Sequence, residues 1–232
     1  MEKKGAESMI PLRDANPSRE FPAVTYGIIG LCVLAFFYEL ALGPGLRLWV
    51  YQYGIVPIRY THSGVASRFS ALEQAIPFVT TMFLHGGWMH LIGNMWVLHI
   101  FGDNVESALG RGRFIVFYLL CGFAASVLHI VTNPASRVPT IGASGAIAGV
   151  MGAYFLLYPR ARVLTVVPIF FYFSIIELPA YVFLGLWFVM QFFSGTFALM
   201  GGGAQVGGVA WWAHIGGFLA GMVLLKVFRG RR

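Results

Sequence analysis

Four polar residues stand inside long apolar runs: Ser144, His214, His90 and Asn94. Polar groups in an apolar environment are costly, and where they persist they generally serve function. A serine hydroxyl is a weak nucleophile until a base removes its proton. A histidine can take that proton and return it to a leaving group. Serine with histidine therefore points to acyl transfer, with Ser144 as nucleophile and His214 as base. Such a reaction develops an oxyanion that needs donors held in advance. His90 and Asn94 lie four residues apart, on one face of a helix, and can supply them. So can the backbone N–H groups at a helix start, which Ser144 occupies. A triad would add a carboxylate to orient the histidine. None of the nine acidic residues lies in a run at matching depth with a route to His214, so a Ser144–His214 dyad is expected.

The runs that carry these residues are membrane spans by composition. The 232-residue chain is 58% hydrophobic and 11% charged, against about 25% charged in soluble domains. A span needs roughly 20 apolar residues. The pattern predicts an all-α, polytopic bundle of six transmembrane helices. They run from about Pro22 to Leu42, Gly87 to Ile100 (extending to Glu106), Phe114 to Val131, Ser144 to Tyr158, Pro179 to Met200, and Gly208 to Phe228. Residues 1–20 read as a polar, mobile tail, 21–228 as the membrane domain and 229–232 as a basic tail. Residues 43–85 form a long loop, and 201–208 a Gly-rich linker. Residues 163–176 are apolar but too short to span unaided, so an interfacial or re-entrant segment is expected. About twenty polar residues precede the first span, which therefore reads as a retained anchor and not a cleaved signal.

The basic residues set the topology. With six spans, twelve of the sixteen lie on the side of the two termini, and only Arg47, Arg59, Arg68 and Arg137 on the other. The positive-inside rule then places both termini in the cytoplasm. This clustering at span ends also explains the net charge of +7 without nucleic acid as a partner. Cys32 and Cys121 sit in apolar runs as small core residues. No metal site or cofactor is expected, and the chain lacks the HExxH of a zinc peptidase.

Depth can be compared along the three spans that carry the polar groups. Ser144 lies 14 residues before Tyr158, and His214 lies 14 before Phe228, about 21 Å in each case at ~1.5 Å per residue. His90 lies 13 before Asp103, about 20 Å. In a hydrocarbon slab of ~30 Å all three come roughly 10 Å below the outer boundary. Gly145, Gly149 and Gly152 on the fourth span, with Gly217 and Gly221 on the sixth, have the spacing that lets backbones pack closely in lipid. Gly142 permits a tight entry of the chain into the fourth helix.

Three segments together resemble the rhomboid family. Gly142-Ala143-Ser144-Gly145 matches its GxSG motif, His90-Leu91-Ile92-Gly93-Asn94 its HxxxN motif, and Ala213-His214-Ile215-Gly216-Gly217 its AHxxG motif. They occur in the family's order, within a resemblance running from about Phe21 to Phe228. It implies a plain six-helix bundle of the prokaryotic class, located in the cell membrane. It implies a serine endopeptidase that cleaves transmembrane segments of membrane-protein substrates near their outer ends. Ser144 would be nucleophile and His214 base, with His90, Asn94 and the Ser144 N–H holding the oxyanion. Trp187 and Phe192 would be candidates for a substrate gate between the second and fifth helices.

Three positions depart from patterns seen in some members. Pro77-Phe78 stand near where a Trp-Arg pair anchors the first loop. Ser107 and Ala108 follow Glu106 where an arginine can occur. Ala148 replaces an aromatic residue four after the serine. The competing expectation is a catalytically silent relative that binds membrane clients. A transporter or bis-histidine haem protein leaves Ser144 and its glycines unexplained, and the chain shows no internal repeat.

Overall fold

The computed structural model describes residues 9–16, 18, 20–169, 172–200 and 210–229. The Gly-rich stretch at 201–208 expected to link the last two spans lies outside the described residues, as do most of the polar tail and residues 230–232. Six long helices form the body: α1 (Ala23–Ala41), α2 (Trp88–Leu109), α3 (Arg111–Thr132), α4 (Ser144–Leu157), α5 (Ala180–Leu199) and α6 (Trp211–Arg229). Of these, α1, α3, α5 and α6 are long and apolar enough to cross a membrane. Helix α2 has 22 residues, about 33 Å at ~1.5 Å per residue. It is long enough to span, but polar side chains dilute its hydropathy. The architecture is that of an all-α polytopic membrane bundle, and the chain is an integral multi-pass membrane protein.

Helix α4 is the centre of the bundle. Its 14 residues cover only about 21 Å, too little to span. A short helix at membrane depth is tolerated where protein, not lipid, surrounds it. Residues Gly145 to Tyr154 are all buried, with α2, α3, α5 and α6 packed around them. Glycine makes this possible. A Cβ on Gly217 would collide with the Gly145 carbonyl, one on Gly221 with the Gly149 carbonyl, and one on Gly152 with the Phe218 carbonyl. The α4 and α6 backbones thus touch directly, and Cys121 of α3 presses on Gly149 from another side.

Buried polar groups fasten the ends. The Glu106 carboxylate at the close of α2 accepts from the Val24 N–H (3.0 Å), the Thr25 N–H (2.8 Å) and the Thr25 hydroxyl (2.8 Å). It thereby caps the orphan donors of α1, so no following arginine is required to neutralise it. The long loop after α1 folds into short helical turns around Arg59, which is only 4% exposed. Its guanidinium donates to the carbonyls of Tyr51, Gln52 and Glu73 and lies 3.9 Å from the Phe69 ring centre. This one buried cation does the anchoring that a Trp-Arg pair would do. His85 ties the loop's end to α1, its N–H donating to Glu39 Oε2 at 3.0 Å.

The sheet was not expected from sequence. Strand β2 (Arg162–Ile169) pairs antiparallel with β3 (Tyr172–Pro179), and β1 (Ile10–Asp14) adds to the other edge of β2. The ambiguous 163–176 segment is therefore a hairpin, and part of the supposed mobile tail is a strand. Val163, Val166, Val167, Ile175 and Ile176 are β-branched, which suits a pleated surface better than a helix. Strand β1 runs beside α2: the Trp96 indole N–H donates to the Pro11 carbonyl (2.6 Å), and Asn104 to Asp14 Oδ2 (3.1 Å). Tyr154 also donates its hydroxyl to Asp14, at 2.5 Å.

Burial pushes the Asp14 carboxyl up to about 6; the Tyr154 hydrogen bond opposes the rise and the nearby Asp103 carboxyl adds to it. Between pH ~4 and ~6 the docked strand thus holds a proton that the free strand has lost, so docking weakens as pH rises through that window. Hydrogen exchange of the Ile10–Asp14 amides, corrected for intrinsic rates, is expected to show greater protection at pH 5 than at pH 7. The Asp14→Asn variant should lose the difference. Equal protection of the unaltered chain at both values would contradict this.

Candidate active site

Helix α4 begins at Ser144, so its first N–H groups have no partners within the helix. The approach is set by Gly142, whose φ of 130° is a conformation L side chains rarely adopt. Its N–H donates to the Thr81 carbonyl at 2.8 Å. Thr140, two residues earlier, exchanges backbone hydrogen bonds with Ile55 (3.0 and 2.7 Å) and accepts from the Thr81 hydroxyl (2.7 Å). The loop held by Arg59 and the turn entering α4 are therefore one unit. A cavity of about 30 Å³ lies behind Ser144, lined partly by Thr81, Ser126, His129 and Thr140. Its lining is mostly apolar, but these polar side chains also border it, and it is large enough for a water molecule.

Ser144 and His214 meet. The Ser144 hydroxyl and His214 Nε2 are 2.8 Å apart. The other ring nitrogen, Nδ1, is 2.7 Å from Gln191 Oε1 on α5. An amide oxygen only accepts, so Nδ1 carries the proton and Nε2 presents its lone pair to the serine O–H. The ring is also held by aromatics. Trp187, one turn before Gln191, packs at 5.8 Å between ring centres and Trp211 at 6.5 Å. The aromatic absent at Ala148 is thus supplied by α5. Ala148 itself is fully buried, with its Cβ toward Gly217 of α6.

His90 faces the same turn. The Gly86 N–H donates to its Nδ1 at 3.3 Å, which leaves the proton on Nε2. A Cβ on Gly142 would stand 2.7 Å from that Nε2 and 3.7 Å from the Ser144 hydroxyl. Hence a donor nitrogen points at the glycine beside the serine. Asn94 is buried, and its amide donates to the His90 carbonyl at 2.9 Å, within its own helix. That bond ties it to the helix that bears His90.

The remaining site residues separate by position. Gly145 and Gly217 are the α4–α6 contact itself. Phe192 is 46% exposed and meets Trp212 edge-on at 6.1 Å, away from the His214 ring that Trp187 covers. Helices α2 and α5 touch through the stacked rings of Phe101 and Phe183, 6.3 Å apart, far along the chain from His90 and Gln191. Sequence reasoning missed Gln191. A signal existed: it is a polar side chain inside the fifth span, 11 residues past Ala180, about 17 Å in and so near the layer of Ser144.

A family model for the rhomboid domain matches residues 72–231, which include Ser144, His214, Gln191, His90 and Asn94. The chain belongs to the rhomboid family. It is 33% identical over 144 residues to the rhomboid protease GluP of Bacillus subtilis, covering 59% of this chain and 24% of that protein. It is 33% identical over 107 residues to the mitochondrial presenilin-associated rhomboid-like protein A of Danio rerio (45% and 27%). Over 146 residues it is 29% identical to the mitochondrial rhomboid protein 1 of Saccharomyces cerevisiae (61% and 38%). The match thus spans well under two thirds of each relative's own length.

In this rhomboid chain the Gly142 turn has no room for a side chain. Gly142→Ala both strains φ and drives a methyl against His90. Labelling of Ser144 by a fluorophosphonate should fall at least about tenfold, as expected when a preorganised donor is displaced, with the helical circular-dichroism signal retained. Labelling at the unaltered rate would show that the turn is not needed.

Proposed function

We propose that this chain is an intramembrane serine endopeptidase working by the Ser144–His214 pair. The observation that carries the reading is the 2.8 Å contact between the Ser144 hydroxyl and His214 Nε2, with the Gln191 amide oxygen 2.7 Å from Nδ1 supporting the tautomer a base needs. Ser144 attacks the carbonyl carbon of the scissile peptide bond while Nε2 takes its proton. The carbonyl oxygen becomes an oxyanion beside the Ser144 N–H and the His90 Nε2–H. His214 returns the proton to the leaving amine, and an acyl-serine remains. Water, deprotonated by the same nitrogen, then releases the acid.

The substrate is a membrane protein whose transmembrane segment enters from the bilayer. Its peptide bonds are closed to attack while helical, so a segment with small or helix-breaking residues at the depth of Ser144 is favoured. Phe192, exposed on α5, is the better candidate for a gate to that entry. Trp187 serves chiefly as the shelf beneath His214. His90 is the principal side-chain oxyanion donor, and Asn94 joins it on turning from the His90 carbonyl. The excess of basic residues at one set of span ends supports a cytoplasmic location for both termini, and a prokaryotic cell membrane fits the six-helix form.

The purified chain in proteoliposomes is expected to cleave a model single-span substrate carrying glycine or proline near one membrane boundary. Ser144→Ala and His214→Ala should each remove at least about 10³-fold of that activity. His90→Ala should cost about 10²- to 10³-fold in kcat, and Asn94→Ala less. Cleavage persisting in Ser144→Ala would end this reading. Substrate capture without cleavage by the unaltered chain would favour a silent, client-binding role instead.

A further inference from the structure

We propose that Gln191 is a positioning residue of the reaction, acting through His214; the inference rests on the dyad reading above. Three observations bear on it. Gln191 is a polar side chain in an apolar helix, only 6% exposed. Its Oε1 lies 2.7 Å from His214 Nδ1, on the ring's far side from Ser144. Its height is fixed from both neighbouring turns of α5. Trp187, four residues before, packs on His214 and Phe218. Gly195, four residues after, accepts from the Trp212 indole N–H at 3.1 Å, in a space where a Cβ would come 3.1 Å from Trp211 and Trp212 atoms.

The direction of the hydrogen bond decides what Gln191 does. With Oε1 toward the ring, Nδ1 must hold the proton and Nε2 is free to receive one from Ser144. With the amide reversed, its NH₂ would donate to Nδ1, Nε2 would carry the proton, and a donor would face a donor at Ser144. With Oε1 toward the ring, as found, Gln191 supports the reactive tautomer and fixes the ring plane. It is also the only amide or carboxyl side chain recorded on the Nδ1 side of His214 among the described residues. A packing role alone would need only the volume, which methionine matches.

The experiment compares Gln191→Met, which keeps length and loses the acceptor, with Gln191→Glu, which keeps an acceptor oxygen at the same reach. Both are purified in detergent with the unaltered chain and Ser144→Ala. Cleavage of the single-span substrate, fluorophosphonate labelling of Ser144 and thermal stability are then measured. Gln191→Met is expected to lower kcat and the labelling rate together, by about ten- to a hundredfold, as loss of an oriented base should. KM should stay within about twofold, because the group touches His214 and not the substrate. Gln191→Glu should recover most of the loss. A Met variant with undiminished kcat would overturn the inference while leaving the dyad intact. So would equal losses in both variants that follow their thermal stability. An unaltered chain without Ser144-dependent cleavage or labelling would instead remove the dyad reading, and this inference with it.

Discussion

The α4–α6 contact is the constraint from which the rest of the site follows. Gly145 and Gly149 on one helix face Gly217 and Gly221 on the other, with backbone carbonyls where Cβ atoms would otherwise sit. In lipid there is no hydrophobic gain from bringing two apolar helices together, so close packing has to supply the attraction. Contact at backbone distance fixes both the separation and the axial register of the two helices. Three residues before Gly217 is His214, and at the head of α4 is Ser144. Their 2.8 Å approach is a consequence of that register. A helix pair held apart by leucine or phenylalanine would place the same two side chains beyond reach.

The cost of this arrangement appears at the ends of α4. Because the helix is short and begins at Ser144, the chain entering it is irregular backbone at membrane depth, tolerable only when shielded by protein. Thr81, Thr140 and Ile55 satisfy that backbone, and Arg59 in turn holds the loop that presents Ile55 and Thr81. The loop is thus part of the site, although no hydrogen bond is recorded from its residues between Gly43 and Leu84 to the Ser144 or His214 side chains. Glu106 does comparable work at the far end of α2, closing the start of α1 with three accepted hydrogen bonds.

Much of this was legible because lipid makes polar residues conspicuous. Ser144, His214, His90 and Asn94 stood out against apolar runs, and counting residues from the span ends placed them in one layer. Glycine spacing named the contact that joins them. What was not legible had other physical origins. The 163–176 hairpin is apolar on both faces, so it lacks the alternation that marks a half-buried strand. Strand β1 exists only by pairing with β2 across 150 residues of chain, which no local signal encodes. Arg59 looked like any loop cation, since burial of a guanidinium under three carbonyls leaves no periodic trace. Gln191 was overlooked because the search assumed that an orienting group must be charged.

That assumption fails for a reason specific to the environment. In water-accessible serine hydrolases a carboxylate orients the base and stabilises its cation. Between α5 and α6 the same carboxylate would be buried in a low-dielectric layer with no counter-ion beside it among the described residues, at a desolvation cost of several kcal/mol. A carboxyl there would instead keep its proton and hold Nδ1 through a neutral oxygen, which is what an amide already supplies. An amide oxygen carries enough negative partial charge to hold the Nδ1 proton in place. It imposes no net charge and asks for no counter-ion. The orientation half of the triad's third role is kept, and the electrostatic half is given up. His90 and the α4 N-terminus, both neutral donors, treat the developing oxyanion in the same way: the site meets charge with dipoles fixed by helix packing, the form of electrostatic assistance that costs least to bury.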